Sequence, residues 1–349
     1  MNASILDTNS PQYFAISKLE KLLTNDLQHK NLLSTLKKSI TKRDVQNTAT
    51  ILRTALALHG PIYPLLLVQE VSIDVYKLYE ANSIEDTIRD ATLQDITLWA
   101  EEYSAQHGGE IGLHQTNWIS RHLCCAIVQL GRLQFEPKPF NAPFVLYQKD
   151  GRTLTLAKAE LCCDRFGYLC DASEKAFETV YKVGNRTILA HSIDEKKGTI
   201  APKPQLFELD PSNQMLDSTT EVLHVHIPKR GSFSDASVSE SFAQAESFFP
   251  SHLFCVCTSW LLDPALEKVA DQNSNIVLFM KRFSKYPVAF EKPQIFERVF
   301  GFGFDEEMVK AYDWKTSLQK NVQQAMREGT IFRTTGGFTL TSKTRSLQI

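Results

Sequence analysis

Up to about residue 108, the chain carries apolar residues at the spacing of amphipathic helices. Ile96, Trp99, Ala100 and Tyr103 fall at positions i, i+3, i+4 and i+7, which places them on one face of a helix. The other segments with this period are 16–23, 32–40, 45–58 and 68–78. Four or five helices with short connections predict a small helical bundle.

After Gly108-Gly109 the pattern changes to short runs of β-branched and aromatic residues that are separated by turn signals. We therefore predict a helical domain over residues 1–110 and a second domain over 111–349. An alternative places the end of the helical domain at about residue 150, and one further helix is predicted at 118–130. The tail at 335–349 is predicted to be flexible.

Two short turns predict β-hairpins in the second domain. Asp150-Gly151 lies between the apolar runs 144–148 and 153–156, and Gly184-Asn185 plays the same part further along the chain. Both pairs favour the tight turn that joins two antiparallel strands. The segment 131–136 is also predicted to be a strand.

The last third of the chain predicts alternating strands and helices. Strands are expected at 222–227, 254–261 and 295–300, and the segment between the first two carries an amphipathic helix. Thr316 and Gln319 form a capping box for the last helix. This alternation predicts an α+β fold with a mixed sheet covered by helices.

The composition excludes several classes of protein. The 349 residues are 43% hydrophobic and 22% charged with a net charge of -2, which is typical of a folded, water-soluble chain and gives no general reason to bind nucleic acid or an anionic membrane. The densest apolar run, at 65–68, is far too short to span a bilayer. Because the first residues lack the features of a signal peptide and the seven cysteines form no CxxC pair, we expect a cytoplasmic protein with free thiols.

Six motifs occur in an order that resembles a known family, the bacterial acyltransferase-domain proteins with a helical N-terminal domain and a C-terminal domain related to the GNAT N-acetyltransferases. The resemblance spans residues 118–329. Its motifs are Gly131-Arg132-Leu133-Gln134-Phe135-Glu136, His224-Val225-His226-Ile227-Pro228, Cys257-Thr258-Ser259-Trp260-Leu261-Leu262-Asp263-Pro264, Ser274-Asn275-Ile276, Arg298-Val299-Phe300-Gly301 and Thr316-Ser317-Leu318-Gln319.

The resemblance implies a GNAT-like fold that moves an acyl group, such as acetyl, from acyl-CoA or acetyl-CoA to an amine or another small nucleophile. It also implies that the CoA pyrophosphate lies at a turn between a central strand and a helix. The matching residues here are Lys229, Arg230, Gly231, Ser232, Phe233 and Ser234. A helix N-terminus binds anions, two cations add charge, and a glycine permits close approach of the backbone.

This loop departs from the Gln/Arg-x-x-Gly-x-Gly/Ala pattern of the family, because its single glycine directly follows Arg230. The departure keeps open an alternative function, in which the protein is a non-enzymatic module that retains the fold and binds a ligand or a partner.

His224 and His226 are two residues apart on a predicted strand and therefore share one face. An imidazole titrates near neutral pH, so one of the pair could act as the general base that deprotonates an amine. Two histidines packed under a helix would give the same pattern. Cys255 and Cys257 alternate in the same way, which suggests a Cys2His2 zinc site as a third interpretation, but the spacing is not specific for zinc and we predict no metal.

Tyr286 follows the region that would form the fourth helix of the GNAT domain, where a tyrosine often protonates the departing thiolate. The resemblance therefore makes Tyr286 a candidate catalytic residue, with Tyr312 as a second option. Either side chain could instead be a packed aromatic. The acyl acceptor is predicted to be a small molecule.

Overall fold

A computed structural model describes residues 4–149, 151–229, 231–289, 294–301 and 303–342. The chain divides into two compact units. The first consists of Met1–Glu136 and His226–Ser232, and the second of Pro137–Val225 and Phe233–Ile349. The segment His226–Ser232 therefore belongs to the unit that contains the N-terminal helices, although it follows Val225 of the second unit.

The described part of the first unit is mainly helical, as predicted. Three of its helices begin at a side chain, Ser10, Asp26 or Asp44, that accepts a hydrogen bond from the backbone N–H three residues later. The helices are α1 (Pro11–Leu23), α2 (Leu27–Thr41), α3 (Val45–His59), α4 (Ile62–Glu70), α5 (Ser72–Ala81), α6 (Asp86–Gln106) and α7 (Thr116–Leu123).

Helix α4 is the centre of this bundle. Its consecutive residues Leu65, Leu66, Leu67 and Val68 are all buried, so the helix is covered on every face rather than along one stripe. It packs against α1 and α3. The stripe at 68–78 does not belong to one helix, because α4 ends before Val71 and α5 begins after it.

The predicted helix at 118–130 is wrong beyond its first half. Helix α7 ends at Leu123, and Cys125 adopts a left-handed backbone with φ of 50°, which a continuing helix does not allow. The chain then forms β1 (Val128–Leu130) and β2 (Leu133–Pro139), an antiparallel hairpin whose turn contains Gly131 at φ of 61°.

The second unit is built from short strands with four helices in its described part. Both predicted hairpins are confirmed, since β3 pairs with β4 and β7 pairs with β8. The strands are β3 (Phe144–Lys149), β4 (Arg152–Ala157), β5 (Cys162–Cys163), β6 (Phe177–Glu178), β7 (Tyr181–Val183), β8 (Thr187–Ala190), β9 (Ile193–Asp194), β10 (Thr199–Ile200), β11 (Gln205–Glu208), β12 (Gln214–Leu216), β13 (Glu221–His226), β14 (Phe254–Ser259), β15 (Ser284–Pro287) and β16 (Thr335–Leu340). The helices are α8 (Asp235–Phe248), α9 (Asn275–Met280), α10 (Glu306–Ala311) and α11 (Ser317–Arg327).

The main sheet of the second unit has the strand order β13-β14-β16-β15. Strands β13 and β14 are parallel, with Leu223 opposite Cys255 and His224 opposite Val256, and α8 supplies the crossover that parallel neighbours need. Strand β16 is antiparallel to both of its neighbours. The predicted α+β class with a mixed sheet is therefore confirmed.

Two predictions near the C-terminus are wrong. Residues 295–300 form no strand, because Phe296–Phe300 is a turn of π-helix whose Phe300 ring packs 4.6 Å from the ring of Trp314. Residues 335–340 are not a flexible tail but β16, a strand between two others. The remainder of the predicted tail, 343–349, lies outside the described residues.

Candidate active site

The strongest candidate for general-base chemistry is a histidine–glutamate pair in the first unit. His226 is the last residue of β13, and Glu136 lies at the middle of β2. The Nε2 atom of His226 is 3.1 Å from Oε2 of Glu136. The glutamate side chain is only 2% exposed, whereas the imidazole is 30% exposed. The carboxylate is thus buried behind a ring that remains accessible.

Helix α7 holds both members of this pair. Arg121 donates from Nε to Oε1 of Glu136 at 3.0 Å, so the buried carboxylate receives one charged hydrogen bond on each oxygen when the imidazole is protonated. Trp118, one turn earlier, places its ring edge-on to the imidazole of His226, with 4.9 Å between centroids. The ring of His226 is therefore oriented by contacts with two elements.

This arrangement suits proton transfer. An ionised carboxylate only accepts hydrogen bonds, so the contact with Glu136 requires a proton on Nε2 of His226. The other nitrogen, Nδ1, then carries the lone pair of a base. A carboxylate that fixes the tautomer of a histidine in this way is the usual partner of a histidine base.

The second predicted histidine, His224, lines a cavity of about 410 Å³ in the second unit. Strands β13 and β14 pair at His224 and Val256, while β14 continues to Ser259 against β16. The wall of the cavity is largely apolar, with Lys158 and Thr258 among its few polar groups. The complete lining is Phe140, Asn141, Ala142, Pro143, Lys158, Leu169, His224, Val256, Thr258, Tyr286, Val288 and Ala289.

Tyr286 reaches the same cavity from β15. Its side chain is buried, and burial raises the pKa of its hydroxyl well above the ordinary value, although a hydrogen bond with Thr258 acts in the opposite direction. The phenol therefore stays protonated at neutral pH and can donate a proton or a hydrogen bond. Tyr312, the second option, is 54% exposed and packs against Phe304 and Trp314, so it lies in an aromatic cluster away from the cavity lining.

The predicted pyrophosphate loop is only partly described, because Arg230 lies outside the described residues. Lys229 forms an ion pair with Glu102 of α6. Gly231 has φ of 85°, a conformation that favours glycine. The aromatic ring of Phe233 packs 5.2 Å from that of Phe279, so this side chain contributes to packing.

Ser234 is the N-cap of α8, and its hydroxyl accepts a hydrogen bond from the N–H of Ser237. Asp235, in the first turn, pairs with Arg282 at 2.5 Å. An acidic residue at a helix N-terminus competes with a bound anion for the positive end of the helix dipole, and Arg282 offsets this negative charge.

The alternative zinc interpretation receives no support from the cysteines. Cys257 is buried in β14, and burial raises the pKa of its thiol to about 12, which disfavours the thiolate that binds zinc. Among the residues that the structure describes, no group of three or more His, Cys, Asp or Glu side chains is arranged to hold a metal ion.

Thiol labelling tests this ranking of the cysteines. At pH 8 we expect iodoacetamide to modify Cys162 and Cys170, which are partly exposed, well before the buried thiols. Burial raises the pKa of four of these buried thiols, those of Cys124, Cys125, Cys163 and Cys257, to about 11 or 12, so little thiolate forms. Peptide mass spectrometry after short labelling would measure the order. Early modification of the buried set, Cys124, Cys125, Cys163, Cys255 and Cys257, would contradict it.

Sequence reasoning found His226 but missed the residues around it. Glu136 lies in the first of the six motifs, yet it contacts a histidine 90 residues later in the chain. Arg121, Trp118 and Asp95 carried no motif signal beyond the period of a helix. The one available sign of Glu136 was an acidic residue between apolar neighbours, Phe135 and Pro137, in a predicted strand.

Comparison with family models decides the family. The N-acyltransferase N-terminal domain matches residues 10–125, and the GNAT-like C-terminal domain matches residues 127–339. The chain belongs to the GNAT-like acyltransferase family. The two matched ranges meet between the end of α7 and the start of β1, where helices are followed by strands. The predicted resemblance is confirmed.

Solved acyltransferases share the fold of this GNAT-like protein. One is an acyltransferase in complex with decanoyl-CoA and teicoplanin, with 16% sequence identity, a TM-score of 0.53, and coverage of 85% of this chain and 77% of that chain. A mutant acyltransferase in complex with octanoyl-CoA gives the same values. A complex with CoA and 10C-teicoplanin has a TM-score of 0.52. A search of the curated proteins found no match.

None of the helices in the described ranges of this GNAT-like protein has both the length and the apolar character needed to cross a membrane.

Proposed function

We propose that this protein transfers an acyl group from acyl-CoA to an amine on a small molecule, or to another small nucleophile, by direct attack on the thioester. The observation that carries the proposal is the pairing of a partly exposed His226 with the buried carboxylate of Glu136 in a member of the GNAT-like family. In the reaction the acceptor nitrogen forms a bond to the thioester carbon, and the carbon–sulfur bond breaks.

His226 is the proposed general base. Its Nδ1 atom removes the proton that the acceptor nitrogen must lose, while Glu136 and Arg121 stabilise the imidazolium–carboxylate pair that forms. Tyr286 is the proposed acid for the departing thiolate, because its buried hydroxyl stays protonated at neutral pH. His224 is proposed to contact the acyl thioester from the cavity that it lines.

The cosubstrate is proposed to bind its pyrophosphate at the start of α8. The backbone N–H groups in the first turn of a helix have no intrahelical partner and point towards an anion. The loop residues before α8, including Arg230 and Gly231, are proposed to contribute backbone N–H groups and charge. Ser234 and Phe233 are proposed to contribute through their backbone, since their side chains cap the helix and pack on Phe279.

The acyl group is proposed to be a medium-length chain rather than acetyl alone. The cavity of about 410 Å³ has a mainly apolar wall, which favours burial of methylene groups. Similar folds have been solved with octanoyl-CoA and decanoyl-CoA, and one of them also with teicoplanin, a small-molecule ligand. These complexes support a small-molecule acceptor and a donor with a medium-length acyl chain for this protein as well.

A change at Ala142 tests the choice of acyl chain. Ala142→Leu enlarges a side chain of the cavity wall, so we expect kcat/KM for octanoyl-CoA to fall about 10- to 100-fold, since displacement of one methylene of the acyl chain costs about 1–3 kcal/mol. Use of acetyl-CoA, which needs little of the cavity, should be unchanged and serves as the internal control. Equal losses with both donors would show that the cavity does not bind the acyl chain.

The activity itself is tested by thiol release. Octanoyl-CoA is incubated with the protein and a panel of primary amines that includes amino sugars, and free CoA thiol is followed with a disulfide dye. We expect release that depends on both the enzyme and one of the amines, with an equal amount of acylated amine detected by mass spectrometry. Binding of octanoyl-CoA without turnover on any amine would instead support the non-enzymatic module.

The cytoplasm is the proposed location. All seven cysteines are free thiols, which is the state expected in a reducing compartment.

A further inference from the structure

A buried carboxylate lies behind the tryptophan that contacts His226. Asp95 of α6 is 3% exposed, and its Oδ2 atom accepts a hydrogen bond from Nε1 of Trp118 at 2.6 Å. The Nε2 atom of His122 lies 3.3 Å from the same oxygen. A third ring, the indole of Trp99, also interacts with this carboxylate and lowers its pKa. Asp95 therefore interacts with side chains from two helices.

The carboxylate remains ionised at neutral pH. Burial by itself acts to raise the pKa of Asp95, but the interactions with His122, Trp118 and Trp99 outweigh burial and lower it. A hydrogen bond to an ionised acceptor is shorter and stronger than one between neutral groups, in agreement with the 2.6 Å contact to Trp118. The indole of Trp118 is thus fixed at its nitrogen end.

The same indole also contacts the imidazole of His226. The two rings are inclined at 65° with 4.9 Å between their centroids, the edge-to-face geometry that aromatic pairs prefer. On the same helix, Arg121 donates to Glu136, which accepts from His226. Two residues one turn apart on α7 therefore restrain the imidazole. Arg121 acts through the carboxylate of Glu136, and Trp118 acts through its own ring.

We propose that Asp95 is a positioning residue that acts through Trp118 to set the orientation of the His226 ring. This inference rests on the proposed function, in which His226 is the base. It adds a second support to the one that Glu136 provides: Glu136 selects the tautomer, and the Asp95–Trp118 pair limits rotation of the ring. A base held within a narrow range of orientations loses less entropy on reaching the transition state.

The test uses two tryptophans that both interact with Asp95. Trp118→Phe keeps an aromatic ring but removes the N–H that Asp95 accepts, and we expect kcat to fall about 10- to 100-fold with the KM for octanoyl-CoA unchanged. Trp99→Phe removes another polar interaction with the same carboxylate without changing a contact of His226, and it is the matched control. We expect Trp99→Phe to change the stability of the protein but not kcat.

Asp95→Asn completes a double-mutant cycle. If Asp95 acts through Trp118, the variant that combines Asp95→Asn with Trp118→Phe should lose no more activity than the more damaging single variant. Multiplying losses would overturn the inference, because they would mean that the two residues act separately. An equal loss of kcat in Trp99→Phe would also overturn it, since this would show only a structural role for the cluster.

A measurement independent of turnover separates failure of the inference from failure of the proposed function. Nuclear magnetic resonance of histidine ring protons reports the ring current of Trp118 on His226. We expect the His226 signal to move in Asp95→Asn and in Trp118→Phe but to stay in place in Trp99→Phe. An unmoved signal in the first two variants would overturn the inference even in an active enzyme. Full turnover by the His226→Ala variant would instead contradict the proposed base. The orientation of the His226 ring would still be measurable in the unmodified protein, so the two failures are distinguishable.

Discussion

His226→Ala is expected to lower kcat by about 10²- to 10⁴-fold, the range by which a positioned general base accelerates proton transfer. The reason is that no other group would accept the proton from the attacking nitrogen at the position of Nδ1. Binding of octanoyl-CoA should be unchanged, because the proposal assigns His226 to the acceptor and not to the CoA. Amine-dependent thiol release and calorimetry measure the two quantities separately.

The chain offers a matched control for this variant. His252 lies 3.2 Å from Glu221, so it forms a second histidine–glutamate contact, but no part of the proposed site includes it. We expect His252→Ala to leave kcat unchanged. Glu136→Gln should lower kcat less than His226→Ala does, because it weakens the support of the base without removing the base. A His226→Ala variant that retains more than a tenth of the activity would contradict the assignment of the base.

Gly336→Ala is expected to lower the free energy of unfolding by about 3 kcal/mol, the upper part of the usual range for overpacking. Gly336 of β16 lies directly opposite Tyr286 of β15, and an added Cβ would be 2.1 Å from Cε2 of the tyrosine ring. Because Tyr286 is only 4% exposed, the added methyl group would force its buried ring out of its packed position. Urea denaturation followed by circular dichroism measures the loss.

Two further variants separate overpacking from backbone strain. Gly109→Ala has nothing within 4 Å of the added Cβ but requires alanine at φ of 94°, so it should cost about 1 kcal/mol through strain alone. Combining Gly336→Ala with Tyr286→Ala should restore part of the stability that the first change removes, because the clashing ring is gone. A cost for Gly336→Ala no greater than that of Gly109→Ala would show that the contact with Tyr286 does not limit the packing of this sheet.

The parts of the fold that the sequence predicted are those determined by local chemistry. Strands β3 and β4 pair as the predicted hairpin, with Lys149 opposite Arg152, and Thr316 with Gln319 forms the expected capping box at the start of α11. The helical first part and the parallel pair β13 and β14 were predicted from period and order. The hairpin, the capping box and the helices depend on residues that are close together in the chain, and the parallel pair follows from the order of its elements.

The failures have a common physical cause, which is that distant contacts decide the local structure. The glycines Gly336 and Gly337 weaken any strand pattern, yet their missing side chains make room for the rings of Tyr286 and Phe283, and so the segment forms a strand within the sheet. Phe296 and Phe300 read equally well as a strand or as one helical face, and packing on Trp314 favours the helical turn.

In the candidate site, too, a residue with a local sequence signal was predicted, and the residues that depend on distant contacts were not. His226 was predicted because its residue type and its strand position carry a signal, whereas Glu136, Trp118 and Asp95 become meaningful only when the fold brings them together. A carboxylate or an indole at these positions has no signature in a single sequence. Arg230, which the sequence predicts at the pyrophosphate, lies outside the described residues, and its role stays a prediction.

Titration calorimetry of octanoyl-CoA into the unmodified protein tests the central claim most directly, because every proposed role of a residue requires acyl-CoA to be the cosubstrate. We predict saturable binding of one equivalent, with a dissociation constant between about 1 μM and 1 mM, the usual range of KM values for enzymes. Binding should also show a negative heat-capacity change, since the cavity buries apolar surface of the acyl chain. No detectable binding of octanoyl-CoA at millimolar concentration, by protein shown to be folded, would contradict the account.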